Sequence, residues 1–166
     1  MPVPEKLLKL EPLRLVCDEM LIRLSRWIRA AGYDCAVLPD GSHDREIMQL
    51  ARDEGRLILT RDRQFLHFRD ASDFVYFFDV QSLDKQAQLL ATDLHIDWLY
   101  RPFSRCLVCN EELLAGTSEQ RAGLSVKLRD EEPLKYCPSC ARLYWCGSHV
   151  RRMDRKLREW KELANK

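Results

Sequence analysis

The 166-residue chain is 46% hydrophobic and carries a formal net charge of +1. This length and apolar content suffice for one good-sized domain with a buried core and a small appendage. No stretch approaches the roughly 18 uninterrupted apolar residues that a membrane span needs. The N-terminus from Met1 to Lys6 is too polar and too rich in proline for a signal peptide. We therefore expect a cytoplasmic protein that does not bind membranes.

The charge is unevenly distributed along the chain. Residues 1–100 contain 13 Lys and Arg against 17 Asp and Glu, whereas residues 101–166 contain 14 against 9. An acidic body followed by a basic tail is typical of a protein that binds metal in one part and a polyanion in the other. Ordinary solvated surfaces would explain the same distribution equally well.

Hydrophobic patterns predict strands and helices in alternation. The predicted strands are Leu13–Asp18, Tyr33–Leu38, Leu57–Asp62 and Phe74–Asp79. Helical spacing follows each strand, with Gly32 and Gly55 as the stop signals of the first two helices and Ser42 and Ser82 as the caps of two others. A strictly alternating order of this kind predicts an α/β fold with a mainly parallel sheet and helices on both faces.

Aspartates stand where several of these elements meet. Three predicted strands end at Asp18, Asp62 and Asp79, and Asp44 lies in the first turn of a predicted helix. Because the carboxyl ends of parallel strands share one edge of the sheet, these side chains are expected to converge. Crowded carboxylates take up protons or bind a divalent cation, and oxygen ligands suit Mg²⁺ and Mn²⁺. Such an ion can orient a water for hydrolysis of a phosphodiester.

A simpler interpretation of the aspartates is helix capping. Asp18, Asp44 and Asp62 all lie at or near predicted helix starts, where each would stabilise a helix by about 1 kcal/mol without any catalytic role. Taken singly, each of them is explained by a cap, and only their combination favours a metal site. Asp79 stands apart from the other three because Ser82 is the expected cap of the helix that follows it.

The C-terminal region contains two Cys-x-x-Cys pairs separated by 27 residues. The four residues are Cys106, Cys109, Cys137 and Cys140. In a reducing compartment this spacing predicts a structural zinc site that folds a segment too short to build its own core. Cys146 and His149 are alternative ligands for the same ion. Asn110 and Ala141 follow the two pairs at positions where zinc ribbons often carry glycine.

Four arginines are candidate contacts for a nucleic acid. Arg26 and Arg61 lie near the aspartates, where a guanidinium suits a phosphate, although salt bridges to the carboxylates are an equal alternative. Arg151 and Arg152 belong to a basic C-terminal helix that follows two aromatic residues at 144–145. Cations interleaved with aromatic rings suit single-stranded nucleic acid. The alternative is that the aromatic residues pack the ribbon onto the main domain and that the helix is merely solvated.

The segment from Asp18 to Asp34, DEMLIRLSRWIRAAGYD, and the later segment LTRDR at 59–63 carry a family resemblance. Together they resemble the Mut7-C ribonuclease family, a branch of the PIN-like nucleases with an appended zinc ribbon, over about residues 13–153. The resemblance implies a PIN-like α/β/α sandwich and divalent-metal-dependent cleavage of RNA. It also implies metal-binding acids at Asp18, Asp44 and Asp62, with Asp79 as the candidate for the fourth acid of the PIN-like pattern.

These observations lead to one main hypothesis and one alternative. Residues 1–100 are expected to form a PIN-like nuclease domain, and residues 101–166 a zinc ribbon with a basic C-terminal helix. The main hypothesis is a ribonuclease whose aspartates bind Mg²⁺ or Mn²⁺, while the ribbon holds structural zinc and assists in binding single-stranded RNA. The alternative is a non-catalytic zinc-ribbon module that binds nucleic acid and uses its aspartates only as helix caps.

Overall fold

A computed structural model of the chain describes residue 4, residues 12–129 and residues 131–164. Its main sheet has four strands: β1 Leu15–Cys17, β2 Cys35–Val37, β3 Leu57–Thr60 and β4 Val75–Phe77. The strand order is β2-β1-β3-β4, and all three pairings are parallel. The predicted parallel α/β sheet is therefore confirmed.

The helices of the main domain connect these strands. They are α1 Ile22–Ala31, α2 Asp44–Glu54, α3 Ala71–Phe74 and α4 Leu83–Asp93, with short 3-10 helices at Glu19–Leu21 and Arg63–His67. The cap of α2 is His43 and not the expected Ser42. The backbone N–H of His43 donates to the carboxylate of Glu46 at 2.8 Å, whereas the Ser42 hydroxyl turns back to the carbonyl of Pro39. Asp44 thus becomes the first residue of α2.

The sheet is buried on both faces, which explains its near-continuous apolar strands. Leu15 and Cys17 of β1 lie in one core cluster with the inner faces of α1 and α4. Val16, between them, lies in a second cluster with α2 and with Phe65 of the second 3-10 helix. This alternation places helices on either side of the sheet, as the α/β/α expectation requires.

The C-terminal region adds a small antiparallel sheet and a long helix. Its elements are β5 Leu114–Ala115, α5 Ser118–Ala122, β6 Leu134–Tyr136, β7 Leu143–Trp145 and α6 Ser148–Ala164. The three strands pair in the order β5-β6-β7. No helix within the described parts of the chain has the length and apolar character to cross a membrane.

Helix α6 packs onto the main domain although it follows the ribbon in sequence. Its buried side chains are Met153, Leu157 and Trp160. The Trp160 ring lies 4.9 Å from the ring of Trp27 and 4.8 Å from that of Trp98, and its indole N–H donates to Asp84 at 2.7 Å. This helix therefore completes the core on the side of α1 and α4. The division of the chain into residues 1–100 and 101–166 stays a prediction.

Two polar side chains attach the first cysteine turn to the edge of the sheet. Buried Arg29 of α1 donates to the carbonyl of Cys35 at 2.8 Å and to that of Val108 at 2.8 Å. Asn110 accepts a bond from the backbone N–H of Cys35 at 3.0 Å and so pairs a donor of edge strand β2. Asn110 has φ +72°, a left-handed conformation that asparagine tolerates, and Ala141 has φ +56° at the equivalent position of the second pair. The backbone conformation that favours glycine is thus retained without glycine.

A partly buried ion-pair network lies next to this attachment. The guanidinium of Arg56 binds both oxygens of Asp34, at 2.6 and 3.1 Å, and Asn110 donates to the same carboxylate at 2.7 Å. Arg14 adds a further bond at 3.2 Å. Burial alone would raise the pKa of Asp34, but these donors and the charge of Arg56 lower it to about 2. The network joins the main domain to the ribbon through ionised Asp34.

Gly32, the C-cap of α1, lies where the chain approaching the ribbon crosses the helix end. Its φ is +102°, and a Cβ built on it would lie 2.4 Å from the carbonyl oxygen of Arg101. The crossing is fixed by bonds from Arg101 N–H to the carbonyl of Ala31 at 2.9 Å and from Phe103 N–H to that of Ala30 at 2.8 Å. Only glycine meets both requirements, the left-handed conformation and the close approach.

We expect Gly32→Ala to lower the free energy of unfolding by roughly 3 kcal/mol, because it combines backbone strain with a clash against backbone. Gly41→Ala is the matched control, since Gly41 has φ +84° but no atom within 4 Å of its Cβ position. The control should lose only about 1 kcal/mol. Urea denaturation monitored by circular dichroism measures both values, and equal losses would contradict the close approach of Arg101.

The depressed pKa of Asp34 predicts a pH-dependent contribution to stability. Because the folded pKa of about 2 lies below the unfolded value, the contribution is present above about pH 4 and is lost as the pH falls towards 2. We expect Asp34→Asn to lower the free energy of unfolding by roughly 1–2 kcal/mol at pH 6, allowing for solvent screening. The difference between the two chains should shrink between pH 4 and pH 2, since other titrating groups are common to both. A difference that is constant over this range would contradict the network.

Candidate functional site

Asp18 lies at the carboxyl edge of the sheet, directly after β1, and is only 4% exposed. The hydroxyl of Thr60, the last residue of β3, donates to its Oδ2, and the backbone N–H of Arg61 approaches the same oxygen at 3.4 Å. Within the described part of the chain, the buried Oδ1 has no hydrogen-bond partner. Burial raises the pKa of Asp18 despite the bond from Thr60. The backbone N–H groups of Arg61, Leu21 and Met20 also lower this pKa, so removal from water is what disfavours the charged carboxylate.

A small cavity of about 90 Å³ opens beside Asp18. Its wall contains four carboxylate residues, and we call it the acid cavity: Asp18, Glu19, Asp44 and Asp62. Burial raises the pKa of Asp44, and the negative charges of Asp62 and Glu19 raise it further. Three of the four aspartates predicted to converge thus share one cavity, where their charges repel.

Asp62 also has the capping role that the simpler interpretation predicts. It is the N-cap of the 3-10 helix Arg63–His67, and its Oδ1 accepts a bond from the backbone N–H of Gln64 at 2.8 Å. Its own N–H donates to the Thr60 hydroxyl at 2.9 Å. The cap and the position in the cavity wall are compatible, because the cap orients the carboxylate that lines the cavity.

The cavity wall differs from the predicted set of acids at two positions. Asp79 is exposed, follows edge strand β4 and is not among the lining residues. Glu19, which was not predicted, lines the cavity from the 3-10 helix that starts right after Asp18. Its position in the sequence next to an acid at a strand end is the signal that could have identified it. The role of Asp79 as a fourth acid stays a prediction.

The four predicted arginines lie in different surroundings. Exposed Arg26 lines a groove of about 400 Å³, which also includes Val108 and Asn110 of the first cysteine turn, and we call it the ribbon groove. Half-buried Arg61 follows Thr60. None of the ion pairs found among the described residues involves Arg26 or Arg61, so the salt-bridge alternative has no support there. Arg151 and Arg152 lie on the exposed side of α6.

The four cysteines of the ribbon form a compact cluster, in which the Sγ atoms all lie within 4.8 Å of one another: Cys106, Cys109, Cys137 and Cys140. Sγ of Cys106 is 3.6 Å from that of Cys140, and Sγ of Cys109 is 3.3 Å from that of Cys137. A tetrahedron with metal–sulfur bonds of about 2.3 Å has edges of roughly 3.8 Å. This set of donors could bind a metal such as zinc, and neither Cys146 nor His149 belongs to it.

Tyr144 of β7 supports this cluster. Its hydroxyl oxygen accepts a bond from the backbone N–H of Leu107 at 3.1 Å and lies 3.0 Å from Sγ of Cys106. Burial would raise the pKa of the Cys106 thiol, but bonds from the Cys109 N–H and the Tyr144 hydroxyl lower it to about 6. A thiolate is the form that binds metal. These contacts of the Tyr144 hydroxyl lie within the ribbon, a role that differs both from stacking on nucleic acid and from packing the ribbon onto the main domain.

With this geometry in place, comparison with known proteins gives a specific result. The chain matches the family model described as Mut7-C RNAse domain over residues 13–157. It belongs to the Mut7-C family. The human protein named exonuclease mut-7 homolog is 37% identical over 101 residues, which cover 58% of this chain and 12% of that protein. This Mut7-C chain thus corresponds to a small part of its relative, and no solved structure matches it. Family membership supports a nuclease-type function acting on nucleic acid.

The cysteine cluster of this Mut7-C chain predicts one tightly bound metal ion. We expect Cys109→Ser to lose that ion and to unfold more easily, because a hydroxyl is a poor replacement for a thiolate in a four-sulfur site. Cys146→Ser is the matched control, since Cys146 lies one residue beyond β7 but outside the cluster. Elemental analysis after purification without chelators measures the metal. A Cys146→Ser chain without metal, or a Cys109→Ser chain with a full equivalent, would contradict the assignment.

Proposed function

We propose that this chain is a divalent-metal-dependent ribonuclease that hydrolyses phosphodiester bonds of RNA at the acid cavity. One observation carries the proposal: the buried Oδ1 of Asp18 has no partner among the described residues and belongs to a cavity wall shared with Asp44 and Asp62. An unpaired buried carboxylate oxygen is costly unless a cation or donor completes it. Helix capping by these aspartates would not explain why the Oδ1 atom of Asp18 is buried without a partner in the described part of the chain.

By donor type the acid cavity suits a hard divalent cation, although within the described residues the acids are not among the side chains grouped closely enough to hold an ion. Asp18, Asp44 and Asp62 offer carboxylate oxygens, which Mg²⁺ and Mn²⁺ prefer. Burial raises the pKa of both Asp18 and Asp44, and the charges of Asp62 and Glu19 add to the shift of Asp44. When bound, such an ion supplies activation of a water and stabilisation of the negative charge that develops on the phosphate. The position of Asp79 outside the wall favours three acids over four, with Glu19 as a neighbouring carboxylate.

The chain's own groups orient this site. The Thr60 hydroxyl fixes Oδ2 of Asp18, and the Gln64 N–H fixes Oδ1 of Asp62. Each of these two hydrogen bonds fixes one oxygen of its carboxylate and so restricts the rotation of the whole carboxylate group. Arg26 in the ribbon groove and Arg61 after Thr60 contact phosphates of the RNA, since a guanidinium presents a fork that matches phosphate oxygens.

The ribbon has a structural and a binding role in this proposal. Its four thiolates hold Zn²⁺, and a site with four protein ligands leaves no open position for catalysis. The exposed guanidiniums of Arg151 and Arg152 assist in binding single-stranded RNA through its phosphates. The opposite face of α6 is occupied by core packing, so only its outer side is available for RNA.

The function is tested by replacing the acids of the cavity. We expect Asp18→Asn and Asp62→Asn each to reduce metal-stimulated cleavage of a single-stranded RNA pool by at least about 100-fold, because an amide binds hard cations poorly. Asp53→Asn is the matched control: this exposed aspartate of α2 contacts Gln49 and lies outside the cavity. Denaturing gel electrophoresis with and without Mg²⁺ or Mn²⁺ gives the rates, and circular dichroism checks the fold.

The alternative is a non-catalytic module that binds nucleic acid. Its specific support is the helix-capping bond of Asp62, together with the exposed arginines of α6. If the two acid variants and the control all cleave RNA at the rate of the wild-type chain, the acid cavity is not the nuclease site. If the wild-type chain binds RNA without cleaving it under any divalent cation tested, the binding module is the better description.

A further inference from the structure

A larger cavity of about 690 Å³ adjoins the acid cavity and is not used by the chemistry proposed above. It lies between the first turn of α2 and the segment from Gln64 to Phe68, and we call it the outer cavity. Asp44 belongs to the walls of both cavities. The acid cavity in turn shares Leu38 and Pro39 with the ribbon groove. The three spaces therefore adjoin one another, with the acid cavity in the middle.

The sizes of these spaces restrict what each can hold. Pockets for small organic ligands measure about 300–1,000 Å³. The acid cavity, at about 90 Å³, falls well below this range, whereas the outer cavity at about 690 Å³ and the ribbon groove at about 400 Å³ lie within it. A phosphate and a cation can enter the narrow centre, but a nucleobase cannot. The two flanking spaces are large enough to hold the bases on either side of a cleaved bond.

The outer cavity offers chemistry suited to a nucleobase. The half-buried ring of Phe68 lies in its wall and is supported from the core by Phe65, whose ring centroid is 6.1 Å away. Phe65 itself lines the acid cavity, so the two rings connect the two spaces. The Gln64 amide and the His67 imidazole add groups that hydrogen-bond base edges. An aromatic ring held rigidly from one side is a stacking platform for a base.

The charges of the outer cavity favour a neutral base over a phosphate in its interior. Asp44 and Glu46 line it, and their carboxylates repel phosphate oxygens. Glu46 is held in place by the bond from the His43 N–H at 2.8 Å. Exposed Arg45, also in the wall, is the cation available to a phosphate that follows the base. A neutral base inside the cavity avoids repulsion by Asp44 and Glu46, and its phosphate outside can pair with Arg45.

We propose that the outer cavity is a nucleotide subsite, which stacks one unpaired base of the RNA on Phe68 next to the phosphodiester in the acid cavity. The proposal rests on the proposed function and extends it by selecting single-stranded RNA. A base stacked in this cavity is removed from any duplex, so the substrate must be single-stranded at this nucleotide. The adjoining strand continues through the acid cavity towards the ribbon groove and Arg26.

The test measures binding of a short single-stranded RNA oligonucleotide by fluorescence anisotropy. All chains carry Asp18→Asn, so that the RNA stays intact during the measurement. We expect Phe68→Leu, which keeps apolar volume, to weaken binding about 10-fold and Phe68→Trp to bind at least as tightly as the parent. Phe74→Leu is the matched control, because Phe74 is a half-buried phenylalanine that packs against the core but does not line the cavity.

A second arm identifies the base that stacks. A single abasic residue is moved along the oligonucleotide, and its effect is measured on the parent and on Phe68→Leu. At one position the two changes should be strongly non-additive, because each removes the same stacking contact. Additive effects at every position, or equal affinities of Phe68→Leu and Phe74→Leu, would overturn the subsite.

The outcomes separate the subsite from the nuclease assignment. If Phe68→Leu binds RNA as tightly as the parent, while cleavage by the wild-type chain still depends on Asp18 and Asp62, the subsite is rejected and the proposed function stands. If Phe68→Leu weakens RNA binding but the wild-type chain cleaves no RNA, the proposed function is rejected and base binding in the outer cavity is supported. A duplex RNA of the same sequence should bind at least about 10-fold more weakly, and equal affinity would overturn the selection for single strands.

Discussion

The parallel pairing of β1 with β3 is the constraint on which the site depends. Its register places Cys17 opposite Leu59, so the residues that follow, Asp18 and Thr60, become neighbours at the carboxyl edge of the sheet. The Thr60 hydroxyl then holds one oxygen of Asp18, while the other is buried and has no hydrogen-bond partner in the part of the chain that the structure describes. A shift of one residue would turn every side chain of the strand to the opposite face and remove this arrangement. The acid cavity is therefore a consequence of strand register.

The attachment of the ribbon to the sheet edge determines the shape of the ribbon groove. Arg29 binds carbonyls of both β2 and the first cysteine turn, and Asn110 pairs the edge strand directly. The chain reaches this turn only because Gly32 lets it cross the end of α1 closely. The turn that carries Cys106 and Cys109 of the cysteine cluster thus also forms part of the groove in which Arg26 lies. The cysteine cluster and the ribbon groove are therefore joined through these few contacts.

Acidic and basic side chains are separated around the acid cavity. Negative charge is concentrated at the acid cavity, where burial and the charges of Asp62 and Glu19 raise the pKa of Asp44. Arginines lie to either side, Arg26 in the ribbon groove and Arg45 in the outer cavity. A polyanion alone would be repelled from the centre, whereas a polyanion together with a divalent cation fits it. This distribution agrees with a nuclease-type function better than with a uniformly basic binding surface.

The sequence by itself determined the elements and the chemistry that is local in the chain. Apolar runs ending in acids identified the strands, and the spacing of the cysteine pairs identified the cysteine cluster, because periodicity and short spacing are properties of neighbouring residues. Only the tertiary structure decided which acids meet. Glu19 lines the cavity and Asp79 does not, because an edge strand carries Asp79 away from the centre. The outer cavity joins α2 to the segment after β3, and a contact of that kind depends on packing between distant parts of the chain, which local patterns do not encode.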